Sequence, residues 1–191
     1  MCTRRHFVSA SAYVALAASL LKTERAEAVQ RIEQSPPSAN AQKKHEKFMK
    51  LAIREALKNP MYPFGAVIIN KKSGKVLGRG VNTSSKNPTF HGEIVAINDY
   101  VAKNGNQGWK NTALYTTGEP CAMCMSAIAW TGIPQVIWAS SIDTIRASGI
   151  GQIAISATEV ATRAASIYKP EALIGGVLHE ETDAIFARRR R

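Results

Sequence analysis

Residues 112–139, TALYTTGEPCAMCMSAIAWTGIPQVIWA, decide the fold class. The run 112–116 is rich in β-branched and aromatic residues and reads as a strand, and TGEP after it reads as a turn. Residues 121–131 then carry a helix that Gly132 and Pro134 stop, and residues 135–139 form another strand. A strand, a helix and a strand in that order predict a right-handed crossover between parallel strands, and so an α/β domain.

Working toward the N-terminus, residues 91–103 show helical spacing through Ile94, Val95, Ile97 and Val101 and end at Asn104-Gly105. Before them, residues 64–70 (FGAVIIN) and 75–81 (KVLGRGV) are strand-like, and the turn 71–74 makes them a hairpin. Residues 42–58 repeat Phe48, Leu51, Ala52, Ile53, Ala56 and Leu57 at helical intervals, with Asn59-Pro60 as the stop. Toward the C-terminus the signal weakens. A short helix near 143–147, a loop or strand region, and a closing helix near 180–187 are expected.

The two ends differ from this core. MCTRRHFVSASAYVALAASLLKTERAEA has a basic start, an apolar stretch from Phe7 to Leu21 and a small-x-small pattern at Ala26-Glu27-Ala28. It reads as a signal peptide over 1–28, and Thr3-Arg4-Arg5-His6-Phe7-Val8 resembles the twin-arginine export motif. A linker with Pro36-Pro37 follows over 29–41, so the organisation expected is signal, linker and one domain over 42–191, periplasmic and with no membrane anchor. The chain is 45% hydrophobic and 20% charged, which excludes fibrous and disordered classes. Its net charge of +11 is concentrated on Lys43, Lys44, Lys47 and Lys50 and on the tail Arg188 to Arg191, which read as a solvated helix face and a solvated tail rather than a nucleic-acid footprint.

Cys121 and Cys124 stand three apart at a helix start and therefore share a face. By themselves they fit a disulfide, a redox pair or a metal grip equally well. His91-Gly92-Glu93 opens a different helix and supplies a third soft or borderline ligand. Three protein ligands with one open position are what a catalytic zinc centre uses. Helix N-termini favour thiolate over thiol and so strengthen such a grip. Glu93 is then free to stand beside the metal as a base, which implies hydrolysis. A closed structural site would need a fourth ligand, and His45 and His179 lie outside both motifs.

His-x-Glu followed by Pro-Cys-x-x-Cys is the signature of zinc-dependent base deaminases. From about Phe48 to Ser140 the chain resembles the cytidine deaminase-like superfamily, in the branch of guanine deaminases, fungal cytosine deaminase and tRNA adenosine deaminases. The resemblance implies a three-layer α/β/α fold with a central mixed five-stranded sheet, one zinc per subunit and a homodimer. It implies His91, Cys121 and Cys124 as zinc ligands, Glu93 as proton shuttle, Asn82 as the amide that bonds the base, and the backbone at Ala66 as pocket lining. Asn82 in Asn-Thr-Ser-Ser also reads as a plain turn residue.

The substrate implied is a free base or nucleoside. Ala127-Ile128-Ala129-Trp130 resembles guanine deaminases, with Trp130 walling the pocket or else filling the core. Asp143 lies where those enzymes place an acid, and equally where a helix start favours one. Leu77 to Asn82, Gly92 and Leu114 to Thr117 resemble fungal cytosine deaminase instead. Guanine or a related amino-purine or aminotriazine is expected, with cytosine next. A nucleic-acid substrate fits poorly with an export signal. Residues 174–181 are expected to close the site.

Overall fold

A computed structural model describes residues 39–189, so the expected signal peptide and all but the last three residues of the expected linker lie outside the described residues. The first helix, α1, spans Ala39–Ala56 and begins within that linker. Nothing after Pro37 forbids a helix there, and alanines at 39 and 41 favour one. Next come β1 (Gly65–Asn70), β2 (Val76–Val81), α2 (Gly92–Asn104), a 3₁₀ turn at Trp109–Asn111, β3 (Thr112–Gly118), α3 (Ala122–Thr131) and β4 (Gln135–Ser140). The chain then forms α4 (Ile142–Ala147), α5 (Ala157–Arg163), β5 (Ala172–Ile174) and α6 (His179–Ala187).

The five strands form one mixed sheet in the order β2-β1-β3-β4-β5. The β1–β2 hairpin is antiparallel, as its short connection 71–75 demands, and β1 also runs antiparallel to β3. The pairs β3–β4 and β4–β5 are parallel, as the crossover reading requires.

Alternation along the strands sends side chains to two buried faces, which explains why the strands read as near-continuous apolar runs. Ala66, Ile68, Leu114, Val136 and Trp138 pack on one side against α2, α3 and α5 through Ala96, Tyr100, Met125, Ile128, Ala157 and Ala161. Val67, Ile69, Ala113, Tyr115, Ile137 and Ala139 face the other layer, where Phe48, Met49, Ala52 and Ile53 of α1 cover them. The architecture is the expected three-layer α/β/α sandwich. Among the described residues no helix is long and apolar enough to cross a membrane.

The α2 stripe differs from the one that spacing suggested. Its buried positions are Gly92, Glu93, Ala96 and Tyr100, whereas Val101 is exposed. The cause is a close approach: a Cβ on Gly80 would fall 2.1 Å from the Gly92 carbonyl oxygen and 2.4 Å from the Ala96 nitrogen. Only small residues let α2 ride this low on β2, and that depth carries His91 and Glu93 to the level of β1 and β3.

Candidate metal centre

Two helices begin at the same end of the sheet, and each puts an unusual residue at its N-cap. His91 (φ −68°, ψ 161°) caps α2 and Cys121 (φ −62°, ψ 167°) caps α3. Ser, Thr, Asp or Asn normally occupies this position and bonds a first-turn N–H. Neither His91 nor Cys121 makes a side-chain cap bond, so both side chains are left to point at one another. By contrast Ser141 and Ser156 cap α4 and α5 in the usual way.

The ligand atoms of His91, Cys121 and Cys124 all lie within 4.8 Å of one another. His91 Nδ1 is 3.6 Å from Cys121 Sγ. A tetrahedral zinc with Zn–S of about 2.3 Å and Zn–N of about 2.0–2.1 Å has an S···N edge of roughly 3.6 Å, so the donor set fits that ion. Cys124 is fully buried, Cys121 nearly so and His91 half-buried, which leaves the open side of the triad at the imidazole. His45 and His179 stay apart from the triad: His45 bonds the Tyr115 hydroxyl (2.9 Å) and His179 bonds Asp183 (3.2 Å).

The electrostatics suit a cation. The Cys124 thiol donates to Cys121, and together with His91 this pulls Cys121 down to about 4, a thiolate at neutral pH. The same hydrogen bond, with burial and the charge of Glu93, pushes Cys124 well up. His91 is raised, first by its bond to Cys121. Glu93 is 3% exposed, and burial with the Cys121 charge beside it raises its carboxyl. Thr116 Oγ1 donates to Glu93 Oε1 (3.1 Å) and fixes the rotation of that carboxylate.

Around the triad, Phe64 lies nearly parallel to the His91 ring, at 15° with centroids 6.5 Å apart. Phe186 of α6 supports Phe64 from behind at 4.9 Å. Contact from the C-terminal region thus comes from Phe186, beyond the stretch 174–181 expected to close the site. Asn82 is buried beside this pair, its N–H donating to the Phe64 carbonyl (2.9 Å). Its side-chain oxygen accepts from Ser84 N (3.1 Å) and Ser84 Oγ (2.8 Å), the bonding of a turn residue. The side chain of Ala66 faces the core, while its backbone pairs with Thr116, which holds Glu93.

Trp130 and Asp143 are not brought to the triad. Trp130 is 78% exposed, neither core nor a pocket wall within its own chain. At 100° per residue it lies half a turn away from Cys121 around α3, and the helix cannot present both to one side. Asp143 is exposed in the first turn of α4 and pairs with Arg146 at 3.6 Å, as an acid at a helix start does. Sequence reasoning did not single out Thr116, the Phe64 ring, Phe186 or Glu119. Of these only Glu119 had a visible signal, its place beside Pro120-Cys121.

A three-layer sandwich with a His/Cys/Cys triad and a buried glutamate at paired helix N-termini defines a zinc-binding protein of the deaminase-like class. Residues 42–140 match the cytidine and deoxycytidylate deaminase zinc-binding region, and the chain belongs to that family. It is 40% identical over 99 residues to a tRNA-specific adenosine deaminase of Streptococcus pyogenes serotype M18 (strain MGAS8232), covering 49% of this chain and 61% of that protein. It is 37% identical over 102 residues to a guanine deaminase of Bacillus subtilis (strain 168), covering 50% and 64%. The chain thus spans a little over 60% of the length of these two relatives. In fold it resembles a solved point mutant of NE0047 in complex with 8-azaguanine, with a TM-score of 0.64 and 21% identity over 74% of this chain and 83% of that one.

Proposed function

We propose that the chain is a zinc-dependent hydrolase that removes the exocyclic amino group of guanine or a related amino-purine or aminotriazine and releases ammonia. The observation that carries the flat-ring part is the Phe64–His91 pair. A flat ring in contact with both at roughly 3.5 Å on each face would need about 7 Å, so the near-parallel pair, with centroids 6.5 Å apart, takes one further ring after a small widening. Zinc held by His91, Cys121 and Cys124 would supply Lewis acidity and an activated water. Glu93, buried and raised, is suited to carry a proton to a ring nitrogen and then to the departing amine. Asn82 would offer its amide N–H to the base edge, a role supported by its backbone bond to Phe64, with its side-chain oxygen already taken by Ser84. The likeness to a guanine deaminase and to a fold that holds 8-azaguanine supports a purine.

A second reading, tRNA adenosine editing, is favoured by the 40% identity to a tRNA-specific adenosine deaminase. Ammonia release from guanine, cytosine, adenine, their nucleosides and an anticodon stem-loop, with Glu93→Ala as control, separates these readings. Turnover of guanine alone is the expected result. Activity on the stem-loop alone would replace the reading with the second one, and silence on every substrate with zinc bound would end both.

Two further parts of the proposal concern the whole protein. A homodimer follows from the family resemblance, and Trp130, 78% exposed in the single chain, is the large apolar ring by which it can be tested. Export is supported by the Arg4-Arg5 motif; with both replaced by lysine the protein should stay in the cytoplasm, and unchanged export would overturn the twin-arginine route.

A further inference from the structure

Glu119 stands two residues before Cys121, and its carboxylate is bonded at both oxygens. Oε2 accepts the N–H of Ile142 at 3.1 Å and Oε1 accepts the N–H of Ala157 at 2.8 Å. These are the first residues of α4 and α5. Each helix already has a serine cap that takes a later first-turn N–H: Ser141 Oγ from Thr144 (3.2 Å) and Ser156 Oγ from Glu159 (3.0 Å). The carboxylate takes donors that the caps leave over, and its charge sits at the positive ends of two helices. The backbone of the same residue is fixed as well, with Glu119 N donating to Ser140 O at 2.7 Å.

One side chain therefore ties the turn 118–121 to two helices that otherwise have no part in the metal centre. Cys121 needs such a tie more than Cys124 does. Cys124 is inside α3 and fully buried, so the helix sets its direction. Cys121 is the N-cap and makes no side-chain cap bond; its backbone is set by the turn, and its Sγ meets only the other two members of the triad.

We propose that Glu119 is a positioning residue for the zinc centre, holding the Pro120–Cys121 turn so that Cys121 Sγ stays at the tetrahedral edge from His91. The proposal rests on the zinc triad and is independent of which base is the substrate. Partners that orient a ligand from outside the coordination shell commonly change metal affinity by roughly 10–100-fold when removed.

The test measures zinc release from the purified holoprotein into a chromophoric chelator, with thermal midpoints recorded in parallel. The variants are Glu119→Gln, Glu119→Ala, and a double variant Ser141→Ala/Ser156→Ala, which weakens the same two helices without touching the ligand turn. The expected result is release roughly 10–100-fold faster from the Glu119 variants, near wild-type release from the serine variant at an equal or larger loss of midpoint, and altered d–d bands in cobalt-substituted Glu119→Gln. Glu119→Gln, which keeps size and one acceptor, carries the test if the alanine variant does not fold. Release rates that follow thermal midpoint on one line across all variants, or wild-type release from Glu119→Gln, would overturn the proposal. Zinc content of the wild-type protein tests the metal reading separately.

Discussion

Glu93 and Cys121 each have a titration displaced by their surroundings, and each displacement has a measurable consequence. Replacing Glu93 with Gln keeps size and the Thr116 hydrogen bond but removes the proton carrier, so zinc content and fold should persist while turnover falls by about 10²–10⁴-fold. Near-normal turnover would exclude Glu93 from proton transfer. Cys121, at about 4, should be the thiolate that iodoacetamide finds first once chelation strips the metal, with Cys124 modified far more slowly and zinc protecting both. Peptide mass spectrometry reads the order. His45 provides the pH test. Burial, and then the charge of Lys44, lower it from 6.5, so the unfolded chain takes up a proton first as pH falls. Stability should therefore decline from about pH 6.5 down through the lower folded value and level off below it. The comparison with His45→Gln at pH 8 and pH 5.5, read as urea midpoints, should show the wild type losing more. At this scale the ligands and Glu93 were legible, because zinc chemistry needs particular residue types at particular helix positions. Thr116, Phe64 and Phe186 were not, because their roles arise from contacts across 23 residues or more.

Elements explain why part of the pattern misled. A helix buries whatever face its neighbour permits, and Gly78 and Gly80 of β2 let the Gly92, Ala96 and Tyr100 side of α2 come in close: a Cβ on Gly78 would sit 2.6 Å from the Ala96 carbonyl oxygen. Hence Ile94, Val95 and Ile97 of α2 are only partly buried and Val101 is exposed, although their spacing is helical. Gly80→Ala should lift α2 off the sheet and cost at least about 1–3 kcal/mol in denaturant unfolding, with zinc lost more readily because His91 moves with the helix. Wild-type stability in that variant would refute the close approach. The helix α5 escaped sequence reading because seven residues give two turns and too few apolar repeats to set a period. Its serine cap was the available signal. The tail at Arg189 is likewise not wholly solvated: its guanidinium bonds the Gly149 carbonyl at 2.9 Å, which the run of arginines alone did not reveal.

At the scale of the molecule, the metal centre joins parts of the chain that the sheet alone keeps loosely related. His91 precedes β3 and the cysteines follow it, so an ion held by all three closes a loop of about thirty residues. Stripping zinc should lower the thermal midpoint, and hydrogen exchange should quicken at the starts of α2 and α3 while β3, paired on both sides, stays protected. Uniform loss of protection would mean that the fold itself needs the ion. Trp130 has a spectroscopic consequence. The chain has three tryptophans, and Trp109 and Trp138 are each only 8% exposed, so Trp130 alone is open to water. Its fluorescence is thus an unlabelled gauge of anything that covers the outer end of α3, and a blue shift that grows with protein concentration would count self-association without a tag or a crosslinker.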